Sequence, residues 1–175
     1  MFVKSMRRIV PALLLAAAAA FLAGCAAYEV EKSPPFYESL ARPGAEVNAA
    51  AAASLLSDYR RANGLPALEP DPTLNAIAKD QARRMAEINQ LTHDPGGRGF
   101  TQRLNAGGYQ AARAVENIGA GYHTLAEAFS GWRDSPSHNR NMLVAGATRF
   151  GIATAYAPAS KYKVFWALVL AEPAR

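Results

Sequence analysis

Val164-Phe165-Trp166-Ala167-Leu168-Val169-Leu170 is an unbroken apolar run near the end of a chain of 175 residues. A strand that is apolar on both faces is a central strand, covered above and below. Before it, across Pro158-Ala159-Ser160, Phe150, Ile152, Thr154 and Tyr156 alternate as the residues of a second strand do. Ala114-Val115 adds a short third strand. The covering helices have to come from the first half of the chain. The pattern therefore predicts an α+β fold, a three-layer α–β–α sandwich in which about four helices flank a small, mainly antiparallel sheet.

The helices follow from periodicity and caps. Ala51, Leu55, Tyr59 and Ala62 fall on one helical face, and Gly64 followed by Leu65-Pro66 stops that helix. Asp71-Pro72 is a cap with proline at the first helical position. Leu74, Ile77, Ala78, Ala82, Met85 and Ile88 continue one apolar stripe to about Asn89. A short third helix covers Thr101 to Ala106, before Gly107-Gly108. Thr124-Leu125-Ala126-Glu127 is a capping box, and Leu125, Phe129 and Trp132 give the fourth helix its buried side. Ser135-Pro136 ends that helix and caps a further helical turn through Leu143. There is no internal repeat.

Half of the residues are hydrophobic, 19% are charged and one is Cys, which excludes a disordered, collagen-like or disulfide-stapled chain. The formal charge of +5 is unevenly placed. Lys4, Arg7 and Arg8 lie in the first 24 residues, which carry no acid, and the remainder holds 16 Lys and Arg against 14 Asp and Glu. A near-neutral domain without a basic stripe does not suit the phosphate backbone, so no nucleic-acid partner is expected.

Met1 to Arg8 form a positive segment, and Ile9 to Ala23 are uncharged and mostly Ala and Leu. That length falls short of the roughly 20 residues needed to span a bilayer and fits a signal-peptide core. The stretch ends in Leu22-Ala23-Gly24-Cys25. Small residues directly before a lone Cys resemble the bacterial lipoprotein box, in which the thiol is acylated and becomes the new N-terminus. The resemblance implies a signal peptide over 1–24, a lipidated Cys25, a membrane as partner and an extracytoplasmic address. Ala26 in place of Asp implies the outer membrane where the host is diderm. Two or more acyl chains anchor a protein stably, at about 0.8 kcal/mol per buried methylene. Residues 26–46, with Ser33-Pro34-Pro35 and Arg42-Pro43-Gly44, have no clear periodicity and read as a tether, the folded module beginning near Val47. The 129 residues from 47 to 175 are enough to bury a core without staples.

The chain has three histidines. His93 follows the second helix, Glu116 comes just after the proposed short strand, and His138 lies on the first turn of a helix. All three positions are element ends, where clefts form. Two imidazoles and a carboxylate suit Zn²⁺ with an open fourth position. A helix N-terminus disfavours the imidazolium, which leaves His138 neutral and able to ligate. Spacings of about twenty residues match no local ligand motif, and there is no His-Glu-x-x-His, Gly-x-Ser-x-Gly or phosphate loop. The residues alone leave open a shared His–Glu–His site or ordinary hydrogen-bonded polar groups. Ser135 and Ser137 read as caps and not nucleophiles.

Arg60-Arg61-Ala62-Asn63-Gly64-Leu65-Pro66, His93, Glu116-Asn117-Ile118, Trp132-x-x-Ser135-Pro136-x-His138-x-x-Asn141 and Gly151-Ile152-Ala153 occur in that order. Together with the final apolar strand they resemble bacterial domains of the CAP superfamily, relatives of cysteine-rich secretory proteins, antigen 5 and pathogenesis-related 1 proteins. The match covers roughly residues 49–171. It implies the same α–β–α sandwich, and a cleft of two His and two Glu that binds divalent metal in some members. His93, Glu116 and His138 match three of those positions, while Ser135 stands where eukaryotic members carry the second Glu. That departure leaves at most a three-ligand site. Asn117 reads as structural, fixing the loop of Glu116, and His123 as an exposed loop residue.

Three functions are open at this level. The first is a surface-anchored binding module whose cleft engages a metal, a lipid or a cell-envelope ligand without turnover. The second is a zinc-dependent hydrolase or peptidase, with Glu116 as the catalytic base instead of a ligand. The third is a packing-only scaffold, since fold by itself implies no activity.

Overall fold

Strand β4, Lys163–Pro173, runs between two antiparallel neighbours, β2 (Ala111–Ala120) and β3 (Arg149–Ala157), in a computed structural model that describes residues 33–174. A two-residue strand, β1 (Glu69–Pro70), pairs parallel with the far side of β3, giving the order β1-β3-β4-β2. The proposed signal peptide, Cys25 and the first part of the tether lie outside the described residues.

Alternation along β4 builds both cores. Phe165, Ala167, Val169 and Ala171 face one layer and Val164, Trp166, Leu168 and Leu170 the other, all fully buried. The first face is covered by α2 (Pro72–Ile88) and α3 (Phe100–Ala106). The second is covered by α1 (Ala49–Ala62), α4 (Leu125–Asp134) and α5 (Pro136–Met142). This is the expected sandwich, with five α-helices among the described residues where about four were anticipated.

The caps of α2 and α4 act as their sequences predict. Asp71 accepts from the Thr73 and Leu74 amides at 2.8 and 2.9 Å, and Asn89 ends α2 in the left-handed conformation. Thr124 and Glu127 close their capping box at the start of α4. Trp132 meets Trp166 edge to face at 6.2 Å, and each indole donates to a carbonyl, of Ile118 and Tyr122 respectively. That arrangement lets two of the largest side chains be buried without an orphaned N–H. Gly151 is dictated by close approach: a Cβ there would run into the backbone of Leu74 and Asn75, so β3 and α2 touch main chain to main chain.

Several expectations need correction. The buried face of α1 is Ala52, Leu56, Ser57 and Arg60, one position on from the anticipated stripe, and Ala62 is exposed. The cause is Arg60, which is fully buried and donates to four carbonyls, of Pro66, Met142, Val144 and Ala147, at 2.8–3.0 Å. Ile88, placed in the α2 stripe, is 43% exposed. The short strand at Ala114-Val115 is ten residues long, so Glu116 sits inside it and not after it. β1 went unread because two residues carry no period and one is Pro, tolerated there at a sheet edge.

The packed body also begins before Val47. Pro35–Tyr37 form a 3₁₀ turn, and Leu40 is buried, its amide donating to the His123 carbonyl at 2.7 Å. Phe36, Ala41 and Ala45 pack against the same core. Residues 33–46 thus belong to the folded unit, which starts at Ser33. His123 is exposed, as expected.

Candidate functional site

The edge strand β2 carries the site. Neighbouring residues on a strand point to opposite faces, so Glu116 projects toward the α2–α3 layer and Asn117 toward the α5 layer. His93 lies in the loop that follows α2, where Gly96 and Gly97 both adopt positive φ and turn the chain back into α3. That turn brings Arg103, one helical turn into α3, beneath His93.

Arg103 and Glu116 are each 5% exposed or less. The Arg103 Nη2 donates to Glu116 Oε2 at 2.5 Å, and its Nη1 donates to the carbonyls of His93 and Arg98, both at 2.8 Å. His93 Nδ1 meets the other oxygen, Glu116 Oε1, at 2.8 Å. A nitrogen facing a carboxylate oxygen carries the proton, which leaves Nε2 as the free nitrogen of a ring that is 56% exposed. Gln81, fully buried on α2, donates to the Thr92 carbonyl at 2.8 Å and fixes the same loop.

On the other face the fixing bonds come from two asparagines. Asn117 donates to the His138 carbonyl at 2.9 Å, and Asn141 donates to the Glu116 carbonyl and to Asn117 Oδ1 at 3.1 and 2.9 Å. Asn117 is therefore structural, though it anchors α5 and not a loop bearing Glu116. Burial of His138, helped by the nearby His93, holds its imidazole below the usual histidine range. Its ring makes no hydrogen bond among the described residues. Ser135 stands at the N-terminal cap of α5 without a side-chain cap bond, its hydroxyl lying 3.4 Å from that of Ser137.

His93 and Glu116 touch, and His93 lies close enough to His138 to act on its charge. Among the described residues no three His, Cys, Asp or Glu side chains form a metal-holding group. The donor set also fails on charge. Both oxygens of Glu116 are engaged, one by a buried guanidinium, so the position where a divalent cation would sit on the carboxylate already holds a fixed cation. Arg103 and Gln81 escaped the sequence reading because each is a polar residue lying on a face that apolar residues otherwise define. Arg103 shares its turn of α3 with Phe100 and Leu104, which is the only signal it gives.

Residues 53–170 match the family model described as the cysteine-rich secretory protein family, CAP. No curated protein matches the chain. Among solved structures it is similar to an extracellular protein containing an SCP domain from Bacillus anthracis str. Ames, with 26% identity and a TM-score of 0.60 over 69% of this chain and 38% of that one. It is also similar to an outer surface protein from Borrelia burgdorferi, with 20% identity and a TM-score of 0.66 over 75% of this chain and 99% of that one. A cysteine-rich secretory protein from Staphylococcus aureus shares 15% identity at a TM-score of 0.58, over 71% of this chain and 38% of that one. The chain thus spans well under half of the Bacillus and Staphylococcus proteins. No helix among the described residues is long and apolar enough to cross a membrane.

Proposed function

The chain belongs to the cysteine-rich secretory protein family, and from that premise we propose that it is a lipid-anchored, extracytoplasmic binding module, tied to the membrane through Cys25 and engaging a cell-envelope ligand between His93 and His138 without turnover. The observation that carries this reading is the condition of Glu116, buried with both oxygens committed to Arg103 and His93. A general base needs a lone pair within reach of the proton it removes. A zinc ligand needs an oxygen not already neutralised. Glu116 is almost wholly buried and each of its oxygens already accepts an N–H, which argues against the hydrolase.

A packing-only role is favoured by the Arg103–Glu116–His93 chain of bonds but does not use what lies beyond it. The His93 ring is more than half exposed, and the His138 ring is unbonded. The outward Nε2 of His93 and the unbonded ring of His138 are available to a ligand. The extracytoplasmic address is supported by the Bacillus and Borrelia neighbours, one an extracellular protein and one an outer surface protein.

The test has two arms. Labelled palmitate should enter the wild-type chain and not Cys25→Ser, which should leave the membrane fraction. The purified full chain in detergent should then be titrated with lipid extracts and with soluble peptidoglycan fragments while the His93 and His138 ring signals are followed by NMR. One fraction shifting both rings, with the shift lost in His93→Ala and no product released, is the expected result. Turnover of peptides or esters that vanishes in Glu116→Gln would overturn the reading.

A further inference from the structure

A recess of about 260 Å³ lies between α2 and α3. We propose that it is an oxyanion site, taking the phosphate or carboxylate group of a small ligand. Its lining includes Arg84, Arg98, Asp80 and Ile77, together with Arg103, whose charge is already paired with Glu116. Thr73 adds a hydroxyl.

The unpartnered guanidinium donors favour an anion. Asp80 is already shared, accepting from Arg83 Nη2 at 2.8 Å and from Arg84 Nε at 2.7 Å. The terminal nitrogens of Arg84 have no partner among the described residues, and neither has any nitrogen of the Arg98 side chain. Arg98 is nevertheless fixed at its base, because its carbonyl accepts from Arg103 Nη1 at 2.8 Å. An independent observation comes from Arg103 itself. Its Nε–H is buried without a hydrogen-bond partner, although both terminal nitrogens donate. A buried donor left unpaired calls for an acceptor that the protein does not supply. Guanidinium forks match carboxylate and phosphate oxygens, which bind them in pairs. The apolar floor suits the carbon part of an organic acid or phosphate ester.

The full chain in detergent is titrated with sodium phosphate, and separately with succinate, at constant ionic strength against chloride, with backbone amides followed by NMR. Saturable shifts at Ile77, Arg98 and Arg103–Gly107 are expected for at least one anion. Arg98→Gln and Arg84→Gln should each weaken that binding about tenfold or more, as loss of a charge-assisted hydrogen bond does. Arg133→Gln, in the opposite layer, should leave it unchanged. Phosphate alone or succinate alone supports the site and identifies the group it takes. Shifts that never saturate, or that persist in Arg98→Gln, or that fall as much in Arg133→Gln, overturn it. None of these variants touches His93 or His138, so failure here leaves the cleft reading standing.

Discussion

Arg103 and Glu116 form an ion pair in which each side chain is only 2% exposed, and the same guanidinium grips the backbone of the residue whose ring bonds the carboxylate. His93 is thereby fixed twice, once through its carbonyl and once through Nδ1. Removing one member of such a pair leaves the other charged and buried.

Glu116→Gln is therefore expected to cost about 3–5 kcal/mol. That corresponds to a fall of about 10 °C in melting temperature for a domain of this size. The double variant Glu116→Gln/Arg103→Met should recover part of the loss, because no buried charge then stands alone. Thermal unfolding of the three proteins measures it, and a Glu116→Gln change within 0.5 kcal/mol, roughly the size of an ordinary surface substitution, would contradict the burial described.

Zinc is the second measurement. Calorimetric titration of the full chain should give weak binding that is the same in wild type and in His93→Ala/His138→Ala, because Arg103 holds the carboxylate. A saturable one-to-one site lost in the double variant would mean that Glu116 exchanges its guanidinium for a metal.

His138 makes stability pH-dependent with a definite sign. Its folded pKa lies below the ordinary 6.5, chiefly through burial and then through His93. As pH falls through 6.5 the unfolded chain takes the proton first, so the fold loses stability, and the loss levels off once the folded ring is protonated too. The melting temperature should thus decline across that window in wild type and stay flatter in His138→Gln. An identical slope in both would refute it.

At Gly151 the prediction is steric. A methyl group meets main-chain atoms of Leu74 and Asn75, which no rotamer change can move. Gly151→Ala should destabilise by about 3 kcal/mol, the upper end for overpacking. It should also weaken the bond from the Ile152 amide to Asn75 Oδ1, seen at 3.2 Å, which faster hydrogen exchange at Ile152 would report.

Legibility in the sequence followed physical type. Elements with a strong period or a capping residue, such as α2 behind Asp71-Pro72 and the doubly apolar β4, were readable because burial and orphaned amides constrain local sequence. Arg60, Arg103 and Gln81 were not, since their partners are backbone carbonyls far away in the chain, and a carbonyl belongs to every residue alike. His93 and Glu116 were readable as candidates and do meet. That Glu116 and Asn117 take opposite faces of β2 was hidden while Glu116 was placed beyond the strand. Leu40 was lost among prolines that break every period around it.

Three side-chain donors, Gln81, Arg103 and Asn117, position the two histidine segments by holding carbonyls: of Thr92, of His93 and of His138. At His138 no ring bond is involved in that hold. Like a socket that accepts different bits, the position stays where it is whatever side chain is mounted there. A change from His138 to another residue would then alter what the cleft recognises while leaving the bond that places the segment intact, so this scaffold permits a turnover of ligand preference by single substitutions.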